Sequence, residues 1–146
     1  EMSGHMFMAD RGWYGFDCSL YNAARLIELW SRREATESFS DALYDLAPNL
    51  PTTGEVKIPC AEEDKIPTVE AITEAFSDYR RSLVDGVRVS FERGEKQLGW
   101  FLARKSNTED ILVMRIEAIN RDSLKEIHAL VMERVSPHID VSGLIV

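Results

Sequence analysis

Residues 85–118 read DGVRVSFERGEKQLGWFLARKSNTEDILVMRIEA, and three strands can be traced through them. Val87, Val89 and Phe91 alternate with Arg88, Ser90 and Glu92. Leu98, Trp100 and Leu102 then line one face of a second strand, and Leu112, Met114 and Ile116 one face of a third. Such period-two patterns mark strands with a single covered face. Gly94 and Ser106-Asn107 supply the turns between them. Both connections are too short for a crossover, so neighbouring strands run antiparallel.

On the N-terminal side, Val56, Ile58 and Cys60 alternate with Glu55, Lys57 and Pro59, which predicts a further strand that Pro59 places near an edge. Thr68, after Pro67, reads as a helix cap, and Val69, Ile72, Phe76, Tyr79 and Leu83 recur at helical spacing up to the Asp85-Gly86 turn. A last helix starts near Asp122 and offers Leu124, Ile127, Leu130, Val131 and Val135 to a core before Pro137. The order βαβββα predicts an α+β layer: a four-stranded, mainly antiparallel sheet with helices on one face.

The first thirty residues have a different character. Met6-Phe7-Met8 and an aromatic, glycine-containing stretch from Asp10 to Phe16 precede Asp17, which reads as a cap. Leu20, Ala23, Ala24, Ile27 and Trp30 then form the apolar side of a helix that needs a partner. From Ser31 the period weakens through Arg32, Arg33, Glu34 and Glu37, and Pro48 and Pro51 end a short helical pattern at Phe39, Ala42, Leu43 and Leu46. These features divide the chain into residues 1–34 and 35–146. The first residue is Glu1 and an element follows almost at once, so the sequence reads as a piece of a longer chain.

With 146 residues, a formal charge of −8 and a pI near 4.9, the chain would repel nucleic acid and anionic lipid. No apolar run approaches the roughly 20 residues of a spanning helix, and no basic-then-apolar leader opens the sequence, so a cytoplasmic protein is expected. Cys18 and Cys60 lack CxxC partners, and His5, His128 and His138 lack metal-ligand spacing. No metal is expected on these residues.

Arg104-Lys105-Ser106-Asn107-Thr108 lies between two strands, where backbone N–H groups can turn into one concavity and attract an anion. The planar fork of Arg104 suits two phosphate oxygens, and the hydroxyls of Ser106 and Thr108 and the amide of Asn107 suit the others. The same residues also suit a plain hairpin turn. Lys105 reads as a solvated side chain, and Arg115 as an ion-paired or snorkelling residue that could support the site from behind.

Asp85-Gly86-Val87-Arg88-Val89, Gly99-Trp100, Arg104 to Thr108 and Ile111 to Ala118 together resemble the fourth domain of the α-D-phosphohexomutases, and Glu1-Met2-Ser3-Gly4-His5 resembles their sugar-contact loop. The resemblance covers essentially the whole chain. It implies a TATA-binding-protein-like fourth domain preceded by a strand-helix piece of an α/β domain. It gives Arg104, Ser106, Asn107 and Thr108 the nonreacting phosphate, gives Glu1 and Ser3 the sugar hydroxyls, and suggests a proton-handling or phosphate-contact role for His5. Met2 and Ser106-Asn107-Thr108 resemble the phosphomannomutase/phosphoglucomutase branch more than the phosphoglucosamine mutases. Asp110 departs from the proline often found there.

Such enzymes interconvert hexose 1-phosphate and 6-phosphate through an enzyme phosphoserine, a bisphosphorylated sugar and bound Mg2+. The serine and metal loops of the family lie upstream, so these residues are expected to bind substrate without catalysing. The expected partners are a hexose phosphate and the upstream domains. The alternatives are a phosphoglucosamine mutase of the same family and a stand-alone phosphate-binding or interaction module on the same layer.

Overall fold

The computed structural model describes residues 5–33, 38–41 and 49–146. Two compact units divide the chain at Asn49/Leu50, and each is described by itself. The boundary expected after residue 34 falls outside the described residues.

In the second unit the three strands of the 85–118 stretch are β3 (Val87–Arg93), β4 (Lys96–Lys105) and β5 (Ile111–Ala118). They pair antiparallel, with Val89 opposite Phe101 and Phe101 opposite Ile116. The strand β1 (Val56–Pro59) borders β5, and Pro59 does stand on an edge strand, where its missing N–H costs no ladder bond. The other edge is β2 (Arg80–Ser82), giving the order β1-β5-β4-β3-β2. The sheet therefore has five strands where four were expected.

The extra strand comes from a helix that is displaced toward the N-terminus. Helix α2 spans Glu62–Ala75, so it begins six residues before Thr68 and ends before Tyr79 and Leu83. Glu62, Glu63 and Asp64 in its first turn face the positive end of the helix dipole. Pro67 sits inside the helix near its N-terminus, and the residue whose carbonyl it cannot bond, Glu63, is exposed. After Phe76 the chain turns, Arg80–Ser82 pairs with β3, and Leu83 is left exposed. Helix α3 (Arg121–Val135) starts where expected, with Asn120 Oδ1 accepting the Ser123 N–H at 2.8 Å.

Ile72 of α2, Phe76 just past its end, and Leu124, Ile127, Val131 and Val135 of α3 close over Val89, Phe101, Met114 and Ile116 in one buried cluster. On β4 the covered residues are Gly99, Phe101 and Ala103, not the set containing Trp100 and Leu102. Alternation put Leu98, Trp100 and Leu102 on one face, but the helices cover the opposite one, where Gly99 and Ala103 leave room on either side of Phe101. A Cβ on Gly99 would lie 2.4 Å from the Glu117 carbonyl oxygen and 2.7 Å from Ile127 Cδ1. Trp100 instead lies on the open face, with Arg88 4.8 Å and Arg115 5.7 Å from its ring centre. Arg115 pairs with Glu117 at 2.8 Å, which accounts for its charge.

In the first unit, helix α1 spans Ser19–Ser31. Its N-cap is Cys18, not Asp17; the Asp17 carboxylate lies 3.4 Å from His5 Nε2, and its backbone bridges Phe7. The polar side of α1 packs on the preceding stretch: Tyr21 stacks on Trp13 at 4.2 Å, Asn22 donates to the Met6 carbonyl at 3.0 Å, and Arg25 pairs with Asp10 at 2.7 Å. Leu20, Ala23, Ala24 and Ile27 are exposed, Leu20 to 81%. With little apolar burial to hold it, α1 is expected to exchange its amide hydrogens faster than the Leu112–Ile116 segment of β5. Hydrogen exchange on this chain as a monomer checks this, and equal protection of both segments would contradict it.

Candidate anion site at the β4–β5 turn

The turn from β4 to β5 is built around Ser106. This residue is buried, its N–H donates to the Ile111 carbonyl at 3.1 Å, and its Oγ accepts the N–H groups of Thr108 at 3.3 Å and Glu109 at 3.1 Å. A hydroxyl two and three residues ahead of the amides it accepts is a local competitor of regular structure, here used to curl the turn. Its own O–H proton stays able to donate to an acceptor. Asn107 and Thr108 are exposed at the tip.

Arg104, at the end of β4, is largely covered, its side chain 20% exposed. Its Nη1 lies 3.8 Å from Asp85 Oδ2 in the turn before β3. That approach requires Gly86, whose φ of +70° places it in the left-handed region. A Cβ there would lie 2.3 Å from the Ala103 carbonyl oxygen and 2.7 Å from Arg104 Cα.

Beneath the turn lies Lys65 of α2, a residue that the sequence reading passed over. Its side chain is 1% exposed, and its ammonium donates to the carbonyls of Ser106 at 3.2 Å and Glu109 at 2.6 Å and to the Glu62 carboxylate. The Glu62 carboxylate holds the lysine above its ordinary pKa and is itself held below the usual carboxylate range, so both are charged at neutral pH. Asp110 lies 3.7 Å from the same ammonium and is 79% exposed. The acidic departure beside the loop is thus balanced by Lys65, while Lys57 pairs with Glu109 at 2.7 Å. A signal for Lys65 was present: counted from it, Val69, Ile72 and Phe76 follow at four, seven and eleven residues, which puts the lysine on the inward stripe.

Arg104, Ser106, Asn107 and Thr108 are thus brought to one end of the β4–β5 hairpin. His5 belongs to the first unit and faces Asp17; Glu1 and Ser3 lie outside the described residues. Among the described residues no group of three or more His, Cys, Asp or Glu side chains could hold a metal ion. No helix among them is long and apolar enough to cross a membrane. Cys18 and Cys60 are both free thiols, and burial pushes that of Cys60 up in pKa.

Residues 55–134 match the family model described as phosphoglucomutase/phosphomannomutase, C-terminal domain. A phosphomannomutase/phosphoglucomutase of Pseudomonas syringae pv. tomato is 35% identical, over 97% of this chain and 30% of its own length. One from Pseudomonas putida is 36% identical over the same shares. The crystal structure of a phosphoglucomutase/phosphomannomutase family protein from Burkholderia thailandensis superposes with a TM-score of 0.67 at 30% identity, over 96% of this chain and 28% of that one. The chain spans under a third of the length of these relatives. With its antiparallel sheet, helices on one side and matching C-terminal domain, the chain belongs to the phosphoglucomutase/phosphomannomutase family.

Proposed function

We propose that this chain is the substrate-gripping part of a cytoplasmic phosphomannomutase/phosphoglucomutase, holding the phosphate that is not reacting while the other end of the sugar exchanges its phosphoryl group. The observation that carries this reading is the convergence of Arg104 with the Ser106-centred turn at one end of the sheet. Arg104 would hold two phosphate oxygens through its fork, and Ser106, Asn107 and Thr108 would donate to the remaining ones.

Glu1 and Ser3 would bond hydroxyls common to both orientations of the sugar, and His5, steered by Asp17, would sit beside them as a proton or phosphate contact. Binding one phosphate while leaving the other free to react lets a single site accept the 1- and 6-phosphates in turn. The phosphoserine and Mg2+ belong, in this proposal, to the remainder of the enzyme. Mg2+ would neutralise charge on the transferring phosphoryl group there. This chain contributes position and electrostatics.

Accordingly, this chain alone is expected to give no turnover of glucose 1-phosphate or mannose 1-phosphate, and the full-length protein is expected to turn over at least one of them. Assays on preparations shown free of host mutase decide both points. Turnover by this chain alone would refute its noncatalytic role, and an inactive full-length protein would refute the mutase assignment. A preference of the full-length protein for glucosamine phosphate would favour the phosphoglucosamine mutase branch.

A further inference from the structure

We infer that Lys65 is a positioning residue for the anion site: its buried ammonium pulls the Ser106 and Glu109 carbonyls inward and so turns the N–H groups of Asn107 and Asp110 toward the bound phosphate. This rests on the reading of the β4–β5 turn as a phosphate loop. The geometry begins with a burial that needs an explanation, because lysine is seldom fully buried and here its charge lies beneath an exposed turn. Two of its partners are main-chain carbonyls, separated from it by 41 and 44 residues of sequence.

A trans peptide points its C=O and its N–H in opposite directions. The peptides of this turn are trans, as no cis peptide occurs among the described residues, so fixing the carbonyls of Ser106 and Glu109 on Lys65 aims the N–H of the next residue, Asn107 and Asp110 respectively, away from it. The two amides between them, on Thr108 and Glu109, are taken by Ser106 Oγ. The Glu109 carbonyl also accepts the Ile111 N–H at 2.9 Å, so Lys65 shares the setting of that peptide and sets the Ser106 one, and its positive charge offsets carbonyl dipoles that would otherwise confront an anion. The exposed Glu62 and Asp110 carboxylates share that charge.

The test measures binding of inorganic phosphate and glucose 6-phosphate to the full-length protein, with Lys65→Gln, Lys65→Met, Lys65→Arg and Arg104→Ala compared below their melting temperatures. Lys65→Gln keeps N–H donors for the carbonyls but no charge, and is expected to bind roughly tenfold more weakly, the scale of one charge-assisted hydrogen bond. Lys65→Met should be weaker still, and Lys65→Arg should recover part of the loss. If Arg104→Ala weakens binding while Lys65→Gln and Lys65→Met leave it unchanged, the positioning role fails and the phosphate loop stands. If no variant, Arg104→Ala included, alters binding, the phosphate-loop reading itself fails. A readout on the unaltered chain covers the case in which the Lys65 variants do not fold. Titration with phosphate should move the amide protons of Asn107 and Asp110 downfield more than those of Thr108 and Glu109, and the reverse order would overturn the inference.

Discussion

Arg104→Ala in the full-length protein is expected to weaken glucose 6-phosphate binding by roughly 10- to 100-fold, because charge-assisted hydrogen bonds contribute on the order of 1.5 to 3 kcal/mol. Little loss of fold should accompany it. The nearby carboxylate, Asp85, is 69% exposed, so removing its cation leaves no buried charge unpaired. Arg104→Lys should restore only part of the affinity, since an ammonium retains charge without the two-pronged geometry. Lys105→Ala, at an exposed position, should do little. Binding titrations paired with melting curves separate the outcomes: unchanged affinity, or a loss matched by a fall in melting temperature, would return the segment to an ordinary hairpin turn.

Gly86→Val is expected to damage both the fold and the site. A β-branched residue must enter the left-handed region, at a φ of +70°, and its Cβ must displace the backbone of Ala103 and Arg104. Backbone strain of about 1–3 kcal/mol and overpacking of similar size suggest a destabilisation on the order of 3 kcal/mol. For a unit of this size that corresponds to a fall of roughly 10–20 °C in melting temperature. Because the displaced atoms carry Arg104, phosphate affinity should fall even at temperatures where the variant remains folded. A variant that melts and binds like the unaltered protein would show that the Asp85-Gly86 turn has room to move and does not set Arg104.

Both predictions concern residues within the 85–118 stretch, where the local signals were strongest. The alternation on β3 and β5 matched the observed covered faces because their opposite faces are polar or mixed: Arg88, Ser90 and Glu92 on β3, Arg115 and Glu117 on β5. On β4 the alternation was ambiguous. Leu98, Trp100 and Leu102 compete with Gly99, Phe101 and Ala103, and both sets are apolar. Period two says which residues share a face but not which face a helix will cover. The helices chose the smaller set, since Ile127 can approach the strand only where Gly99 has no side chain.

The start of α2 was misplaced for a related reason. Pro67-Thr68 is a strong local stop-and-cap signal, yet the acidic turn at Glu62, Glu63 and Asp64 and the burial of Lys65 favour the earlier start. At the other end, Tyr79 continues the helical spacing but packs beside Phe76 and Phe91 after the chain has turned, freeing Arg80–Ser82 to join the sheet edge. Propensity and spacing describe what a segment can do alone; pairing with β3 decided what it did.

By itself the sequence determined the α+β class, the three-strand core of the sheet, the last helix and the identity of the turn that gathers Arg104, Ser106, Asn107 and Thr108. Those features depend on periodicity and turn chemistry, which act over a few residues. Tertiary structure alone decided the face of β4 that is covered, the fifth strand, the use of Ser106 Oγ inside the turn and the seating of Lys65 beneath it. The Ser106 Oγ contacts are local but are one choice among several that a serine in a turn can make, and the other three depend on contacts between separate segments, such as the 41 residues separating Lys65 from Ser106, whose energies no local pattern encodes.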